Sequence, residues 1–426
     1  MPDFKFIHAA DVHLDSPLRG LARYDTAPVE AIRGASRRAL ENLVQLALDE
    51  EVAFVLLAGD VYDGDWPDFN TGLFFSKQMS RLADADIPVF LVAGNHDAVS
   101  KISRTLILPD NVTTFAAERA ETVVLDGLEV AIHGQSFTRQ EVPENLAAGF
   151  PEARRTFNIG LLHTSLTGRP GHAPYAPCTV GDLQAKGYQY WALGHVHQWE
   201  EVSADPPIVF PGCLQGRHAR ETGPKGCALV KVRSGRVASV ERRVLDVLRW
   251  SECVVDLDGV ETEGALKDRV REAIHREAEA AELRPVAMRV ILRGATVMND
   301  TLRSAPHEWA AQVRSLSGEL VHHDIWVEKV RIDTKGRLSL EEVLTEGSPL
   351  SGLLRAIEEL EETPAAVPGL EAEAAALKKA LASKKLGEWM RSEDGFDPED
   401  PAVLKELIHQ AKLLLITRLL VTGGEP

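Results

Sequence analysis

Five short apolar runs in this chain each end in side chains that bind metal ions. Residues 4–10 lead into Asp11-Val12-His13, and 53–58 into Gly59-Asp60-Val61-Tyr62-Asp63. Residues 88–93 lead into Gly94-Asn95-His96-Asp97, 159–162 into His163, and 190–193 into Gly194-His195-Val196-His197. One strand ending in a carboxylate or imidazole is ordinary. A succession of them, each placing hard oxygen or borderline nitrogen donors at the same end of an expected sheet, describes a hydrolytic centre with two metal ions.

Each donor has a stereochemical reason to reach such a centre. Asp11 and His13 are two residues apart at a strand end, so their side chains project to one side of the backbone. Asp60 follows Gly59, which permits a sharp turn and brings to the rim a carboxylate able to bridge two cations. Asn95 offers an amide oxygen, and His163, His195 and His197 offer imidazole nitrogens. Carboxylate, amide and imidazole donors without thiolate favour Mn²⁺, Fe²⁺ or Zn²⁺ over Ca²⁺. Two such ions about 3.5–4 Å apart generate hydroxide near neutral pH and clamp the oxygens of a phosphate ester. His96, beside Asn95, is placed to stabilise developing charge or protonate the leaving oxygen. Asp97 is expected to hold the His96 ring. For Asp63, holding a neighbouring side chain and shaping a simple turn stay open.

The elements that position these residues alternate. From residue 4 to about 245, apolar strands interleave with helical stretches at 33–48 and 69–82, which argues for a layered α/β core. Two hairpins are expected. One joins 122–125 to 128–133 through a type I′ turn at Asp126-Gly127, and the other joins 227–232 to 237–244 at Ser234-Gly235. Beyond 249 the order is strand 253–257, helix 263–282, strand 285–293, helix 306–316 and strand 324–333, with no metal-ligand cluster. From 346 onward the chain reads as helices. Ser348-Pro349 forms an N-terminal pair, Leu350, Leu353, Leu354, Ile357 and Leu360 form a stripe, and Pro364 stops it. Leu370, Ala374, Leu377 and Leu381 mark the next helix. The last starts at Asp400-Pro401 and carries Leu404, Leu407, Ile408, Ala411, Leu414 and Leu415. These stripes must bury against the chain's own body or a partner. The expected organisation is a metal-bearing domain at 1–248, a small α+β capping domain at 249–345, and a C-terminal helical segment at 346–426.

Composition sets wider bounds. At 426 residues, two or three domains are expected. The net charge of −17, from 64 acidic against 47 basic residues, disfavours a protein that grips DNA over its whole surface. It leaves a metal-centred nuclease open, because divalent ions locally reverse the charge of their ligands. Cys178, Cys213, Cys227 and Cys253 lack C-x-x-C spacing and read as reduced, buried thiols. No apolar run nears the roughly 20 residues of a membrane span, and the first residues lack a signal-peptide pattern. The expectation is a cytoplasmic protein.

Asp-x-His, Gly-Asp-x-x-Asp, Gly-Asn-His-Asp, an isolated His and Gly-His-x-His, in this order, resemble the calcineurin-like metallophosphoesterases. The stretches from Phe6 to Gly20 and from Pro211 to Gly226 are similar to YhaO-type DNA repair exonucleases, relatives of the SbcD nuclease subunit. The resemblance covers roughly 4–245. Val12 stands where SbcD proper usually has Trp, so SbcD-specific hairpin opening is not carried over. The resemblance implies a β-sandwich flanked by helices. It implies one ion on Asp11, His13, Asp60 and His197, a second on Asp60, Asn95, His163 and His195, and His96 as catalyst. It further implies 3′→5′ exonuclease or single-strand endonuclease activity on DNA with Mn²⁺, and a partner that is an SMC-like coiled-coil ATPase docked through C-terminal helices. A homodimer is a further expectation.

The remaining polar residues carry plainer readings. His8 is expected to be buried rather than liganding, and His133 structural. Arg217, His218 and Arg220 form a basic cluster, for which phosphate contact is the functional reading. His172 and Tyr175 lie in a Gly/Pro-rich loop that either faces substrate or is plain surface. The pairs Lys378-Lys379 and Lys384-Lys385 read as a solvated face. Two rival functions stay open. A phosphodiesterase for cyclic nucleotides or another small phosphoester explains the centre but not the residues after 250. A non-catalytic scaffold would have lost ligands that this chain keeps. A phosphoprotein phosphatase is disfavoured, because Gly64 follows Asp63 and the Asn-His motif ends in Asp97.

Overall fold

The computed structural model describes residues 1–16, 32, 34–63, 69–99, 107–166, 175–320, 322–336, 375, 400, 403 and 405–410. The chain forms two compact units. The first comprises Met1–Asp256, Lys267–Leu292 and His307–Ile332; the second comprises Leu257–Leu266, Arg293–Pro306 and Asp333–Pro426.

Period-two alternation of apolar side chains builds the first unit. Strands β1 (Phe4–Ala9), β2 (Phe54–Ala58) and β3 (Val89–Val92) pair in parallel, with Phe6 opposite Phe54 and Leu56 opposite Phe90. Parallel neighbours need crossovers, supplied by helices α1 (Ala35–Asp49) and α2 (Asn70–Ala83). These match the stretches expected at 33–48 and 69–82. With β4 (Val112–Thr114), β11 (Gly226–Arg233) and β12 (Arg236–Val244), the strands form a six-stranded sheet in the order β12-β11-β1-β2-β3-β4.

A second six-stranded sheet has the order β5-β6-β7-β8-β10-β9. Its strands are β5 (Glu121–Leu125), β6 (Val130–Gln135), β7 (Phe157–His163), β8 (Tyr190–Gly194), β9 (Glu200–Ala204) and β10 (Pro207–Phe210). The strand ends therefore come from two sheets face to face, the sandwich that the family resemblance implies. Phe6, Phe54 and Phe90 from one sheet and Phe157, Ile159, Leu161 and Tyr190 from the other form one buried cluster. Phe6 stacks on Phe54 at 5.0 Å and meets Tyr190 edge-on at 5.2 Å. Each such ring contributes about 1.5–3 kcal/mol by leaving water. The alternate residues Ile7, Ala9, Val55, Leu57, Val89 and Leu91 pack on the α1 and α2 side with Leu40, Leu43, Phe75 and Met79. Both faces of these strands are buried, which explains why they read as continuous apolar runs.

The two hairpins differ. At Ser234-Gly235 both φ values are positive, 48° and 75°, as a type I′ turn requires. At Asp126-Gly127 the expected two-residue turn is replaced by a 3₁₀ turn over Asp126–Leu128, closed by a left-handed Glu129. Leu125 pairs with Val130, so the loop holds four residues rather than two.

The later segment follows the expected order with one short helix added, Asn299–Ser304. Strand β13 (Arg249–Asp256), helix α5 (Glu263–Ala280), strand β14 (Val286–Ala295), helices α6 (Asn299–Ser304) and α7 (Pro306–Gly318) and strand β15 (Ile325–Lys335) are present, numbered after α3 (Asn95–Val99) and α4 (Val180–Gln184). The strands form a sheet in the order β13-β14-β15. Within the first unit, Trp250, Ala287 and Trp326 pack with Ile32, Ala35 and Ala219. In the second unit, Thr334 and Arg303 both donate to the Asn299 amide oxygen, at 2.9 and 3.2 Å. The C-terminal helices expected from 348 lie outside the described residues, save 375, 403 and 405–410, which are helical. Among the described residues no helix is long and apolar enough to cross a membrane. All four cysteines are free and buried.

Candidate metal centre

The strand ends of both sheets converge. β1, β2 and β3 deliver Asp11, His13, Asp60, Asn95 and His96 from one sheet, while β7 and β8 deliver His163, His195 and His197 from the other. Among the described residues, four groups each have donors within 4.8 Å of one another: Asp11, His13 and His197; Asp11, Asp60 and His163; His13, Asp60 and His96; and His197, Cys213 and Glu221. Asp11, His13, Asp60, Asn95 and His163 are all buried.

The local backbone is unusual at these positions. Asp11, His13 and Asp60 have φ of 49°, 43° and 51°, and His195 has 102°. Residues with a Cβ rarely sit there, and such strain concentrates where function demands a particular direction. Backbone bonds from Asp11 N to Gly59 O and from His13 N to Asp60 O, each 3.0 Å, weld the first two loops together. A Cβ on Gly94 would meet the Asp60 carboxylate, and one on Gly59 the His163 ring. Only glycine lets these loops close so tightly on the donors.

The polar groups point at one another in a way that suits a bound cation. His163 Nδ1 lies 2.9 Å from the Ala58 carbonyl, which only accepts, so Nδ1 carries the proton and Nε2 a lone pair. That lone pair faces Asn95 Oδ1 at 3.0 Å and Asp60 Oδ2 at 3.4 Å. Likewise His197 Nδ1 donates to Glu221 Oε1 at 2.6 Å, leaving Nε2 3.2 Å from His13 Nε2 and 3.6 Å from Asp11 Oδ1. The His163 lone pair facing two oxygens, and the His197 lone pair facing Asp11, are acceptor pairs that repel, and divalent ions remove that repulsion. Protonation behaviour agrees. Burial, then the neighbouring Asp60, raises the Asp11 carboxyl well above the usual range, and burial raises Asp60. Burial holds His13 well below its usual value and His163 at about 4. The donor set fits divalent metal.

His96 occupies the open side of this cluster, with its side chain 36 % exposed. Its backbone N–H donates to Asp60 Oδ1 at 2.9 Å, and its Nδ1 lies 2.8 Å from Asp63 Oδ1. Asp63, rather than Asp97, therefore holds the ring. Burial lowers the proton affinity of His96, but the Asp63 hydrogen bond and the charges of Asp60 and Asp63 prevail and raise it. Burial would raise the Asp63 carboxyl, but hydrogen bonds from His96 and Ser16 and the charge of Arg217 hold it at about 2. Asp97 points the other way. Its oxygens accept the backbone N–H groups of Val61, Tyr62 and Gly94 at 3.2, 2.9 and 3.2 Å, tying the Asp60 loop to the Asn95 turn. In a Gly-Asn-His-Asp turn the short Asp side chain reaches backbone donors before it reaches the preceding ring.

Arg217 is part-buried, with 17 % of its side chain exposed. Its fork donates to Glu221 at 2.8 Å and its Nη1 sits 3.6 Å from Asp63. Its charge thus serves the protein's own carboxylates. His218 and Arg220 are exposed, and His218 Nε2 stands 3.6 Å from Glu221. His8 is fully buried between Tyr190 and the Leu193 carbonyl, at 3.0 and 3.1 Å. His133 is held by Thr122 and Asn158 and stacks on Tyr188 at 4.5 Å, a structural role. Tyr175 meets the His195 ring at 5.2 Å, while His172 lies outside the described residues. Glu221 is the functional residue that sequence reasoning passed over. It lies inside the stretch from Pro211 to Gly226 that carries the family resemblance, but an acidic residue between basic neighbours gave no separate signal.

Comparison with known proteins yields two family models. One described as calcineurin-like phosphoesterase matches residues 4–199, and one described as metallophosphoesterase YhaO, middle domain, matches 250–335. The "Uncharacterized metallophosphoesterase YhaO" of Bacillus subtilis (strain 168) is 35% identical over 299 residues, covering 69% of this chain and 72% of that protein. A "DNA double-strand break repair protein Mre11" of Methanopyrus kandleri is 26% identical over 299 residues, covering 63% of this chain and 62% of that protein. One from Sulfurisphaera tokodaii is 24% identical over 326 residues, covering 71% and 76%.

Proposed function

This chain belongs to the calcineurin-like metallophosphoesterase family, and we propose that it hydrolyses phosphodiester bonds in DNA with two divalent ions, Mn²⁺ foremost. Enzymes of this family use a dinuclear divalent centre. The observation that carries the reading is the convergence of acceptors, the His163 Nε2 lone pair on Asn95 and Asp60 on one side and the His197 Nε2 lone pair on Asp11 beside His13 on the other. In this reading Asp11, His13, Asp60 and His197 hold one ion, and Asp60, Asn95, His163 and His195 hold the second. When bound, the ions supply hydroxide near neutral pH and screen charge on the phosphate.

The chain's own residues supply the rest. Asp63 anchors His96 through Nδ1 and favours its protonated form, so the ring offers a proton to the leaving oxygen from the exposed side of the cluster. Asp97 fixes the distance between the Asp60 loop and the Asn95 turn. The DNA substrate rests on the printed names of the Mre11 relatives, and a role in DNA repair with it. An SMC-like coiled-coil ATPase partner rests on the family resemblance alone.

The test compares Mn²⁺-dependent degradation of end-labelled DNA by the wild type and His96→Ala. Loss of degradation in the variant supports the reading. Undiminished degradation removes His96 from the mechanism. Inert DNA together with rapid hydrolysis of cyclic nucleotides would transfer the centre to a small-phosphoester enzyme.

A further inference from the structure

Glu221 stands behind His197, on the side of the ring away from the converging donors. It is 5 % exposed, and its Oε1 receives the His197 Nδ1 proton at 2.6 Å. Three groups of Arg217 converge on the same carboxylate: the backbone N–H at 2.7 Å, Nη2 at 2.8 Å and Nε at 3.3 Å. The loop carrying them is itself anchored. Trp250 Nε1 donates to Gly216 O at 3.0 Å, the Glu221 N–H to His218 O at 2.9 Å, and Lys225 Nζ to His197 O at 2.9 Å. The far end of the Arg217 fork lies 3.6 Å from Asp63 Oδ2, the carboxylate that anchors His96. One guanidinium therefore stands between the support of a metal-facing imidazole and the support of the proton donor.

We propose that Glu221 is a positioning residue that holds His197 in its Nδ1–H tautomer, so that Nε2 faces the metal, and that Arg217 fixes Glu221 in that role. The proposal rests on the reading of His197 as a ligand. Its physical basis is the tautomer. A carboxylate accepts only, so the proton is driven to Nδ1 and the lone pair to Nε2, and carboxylate support also makes that lone pair more basic. A buried carboxylate near Asp11 is repelled by it, and the guanidinium offsets this. Cys213 also comes within 4.8 Å of the His197 and Glu221 donors, but Nδ1 and Oε1 already bind each other, so the trio is no separate metal site.

The experiment titrates Mn²⁺ calorimetrically into the full chain, as wild type, Glu221→Gln and His197→Ala, with melting of each in EDTA. Loss of about 10–100-fold in affinity at the site that His197→Ala also removes, with the EDTA melt of Glu221→Gln unchanged, supports the inference. Wild-type binding by Glu221→Gln, while His197→Ala loses a site, overturns it and leaves the ligand reading standing. Two intact sites in His197→Ala would remove the ligand reading and the inference with it. Should Glu221→Gln not fold, Arg217→Lys keeps the charge and loses the fork. A weaker loss at the same site supports the inference, and unchanged binding overturns it.

Discussion

Asp63 Oδ1 lies 2.8 Å from His96 Nδ1, so the carboxylate three residues after Asp60 holds the ring that follows Asn95. The link crosses from the β2 loop to the β3 loop and leaves Nε2 of His96 as the ring's second working nitrogen. Replacing Asp63 with Asn removes the charge and keeps the shape. We expect kcat on a phosphodiester substrate to fall about 10–100-fold, within the range general-acid catalysis contributes. Mn²⁺ affinity should stay near wild type. The decisive measurement is a double-mutant cycle, in which Asp63→Asn added to His96→Ala costs nothing more. Additive losses would show that Asp63 acts apart from His96.

Metal removal should destabilise the protein, because the metal-free centre buries Asp11 and Asp60 side by side and burial raises both carboxyls. Ligand at 100 times its Kd stabilises by about 2.7 kcal/mol. Thermal melts in Mn²⁺ and in EDTA should therefore differ by several degrees, and Asp60→Asn should erase most of the difference. An Asp60→Asn protein that still gains the full Mn²⁺ increment would exclude Asp60 as a ligand.

How much of this was legible in sequence depends on how far each group reaches. The convergence was, because strand ends and glycine turns are local signals: Asp11, His13, Asp60, His163 and His197 fall in the close donor groups, Asn95 lies 3.0 Å from His163, and the His195 ring lies 5.2 Å from the His163 ring. The helices α1 and α2 were legible for the same reason. That the strands belong to two sheets came from the family resemblance and not from the apolar pattern, since a strand buried on both faces reads alike in either. The partners of the ligands were also hidden. Asp63 reaches His96 across 33 positions and Glu221 reaches His197 across 24, and no spacing rule joins side chains brought together by tertiary folding. Asp97 misled because adjacency in sequence suggested a contact with His96, whereas its oxygens were taken by the N–H groups of Val61, Tyr62 and Gly94.

Asp97→Asn should consequently act on architecture before chemistry. The amide keeps one acceptor oxygen and brings an NH₂ against backbone N–H donors, so at least one buried donor loses its partner. A loss of about 1–3 kcal/mol is expected, read as a lower urea midpoint in EDTA. Unlike Asp63→Asn, this variant should also bind Mn²⁺ more weakly, because the Asp60 loop and the Asn95 turn are no longer tied. Unchanged stability together with lost turnover would show that Asp97 does chemistry after all.

Acid should unfold the protein partly through His133. Burial lowers this histidine from the ordinary value of 6.5 to about 4, against the hydrogen bond its Nε2 donates to Asn158 Oδ1. The sign follows from proton counting. Between pH 6.5 and about 4 the unfolded chain binds a proton that the folded protein refuses, so stability falls as pH falls through that window, by up to about 1.4 kcal/mol per pH unit from this group. Above pH 6.5 both states are neutral and the contribution is flat. His8, held by burial at about 3, adds a second proton of the same sign. Urea unfolding of wild type and His133→Gln in EDTA from pH 7 to pH 4 isolates the effect, because other titrating groups cancel in the difference. The variant should start less stable at pH 7, where the stack on Tyr188 is lost, and close the gap as pH falls. Parallel curves across the window would mean that His133 titrates alike in both states, and that its burial between Thr122, Asn158 and Tyr188 does not set its charge.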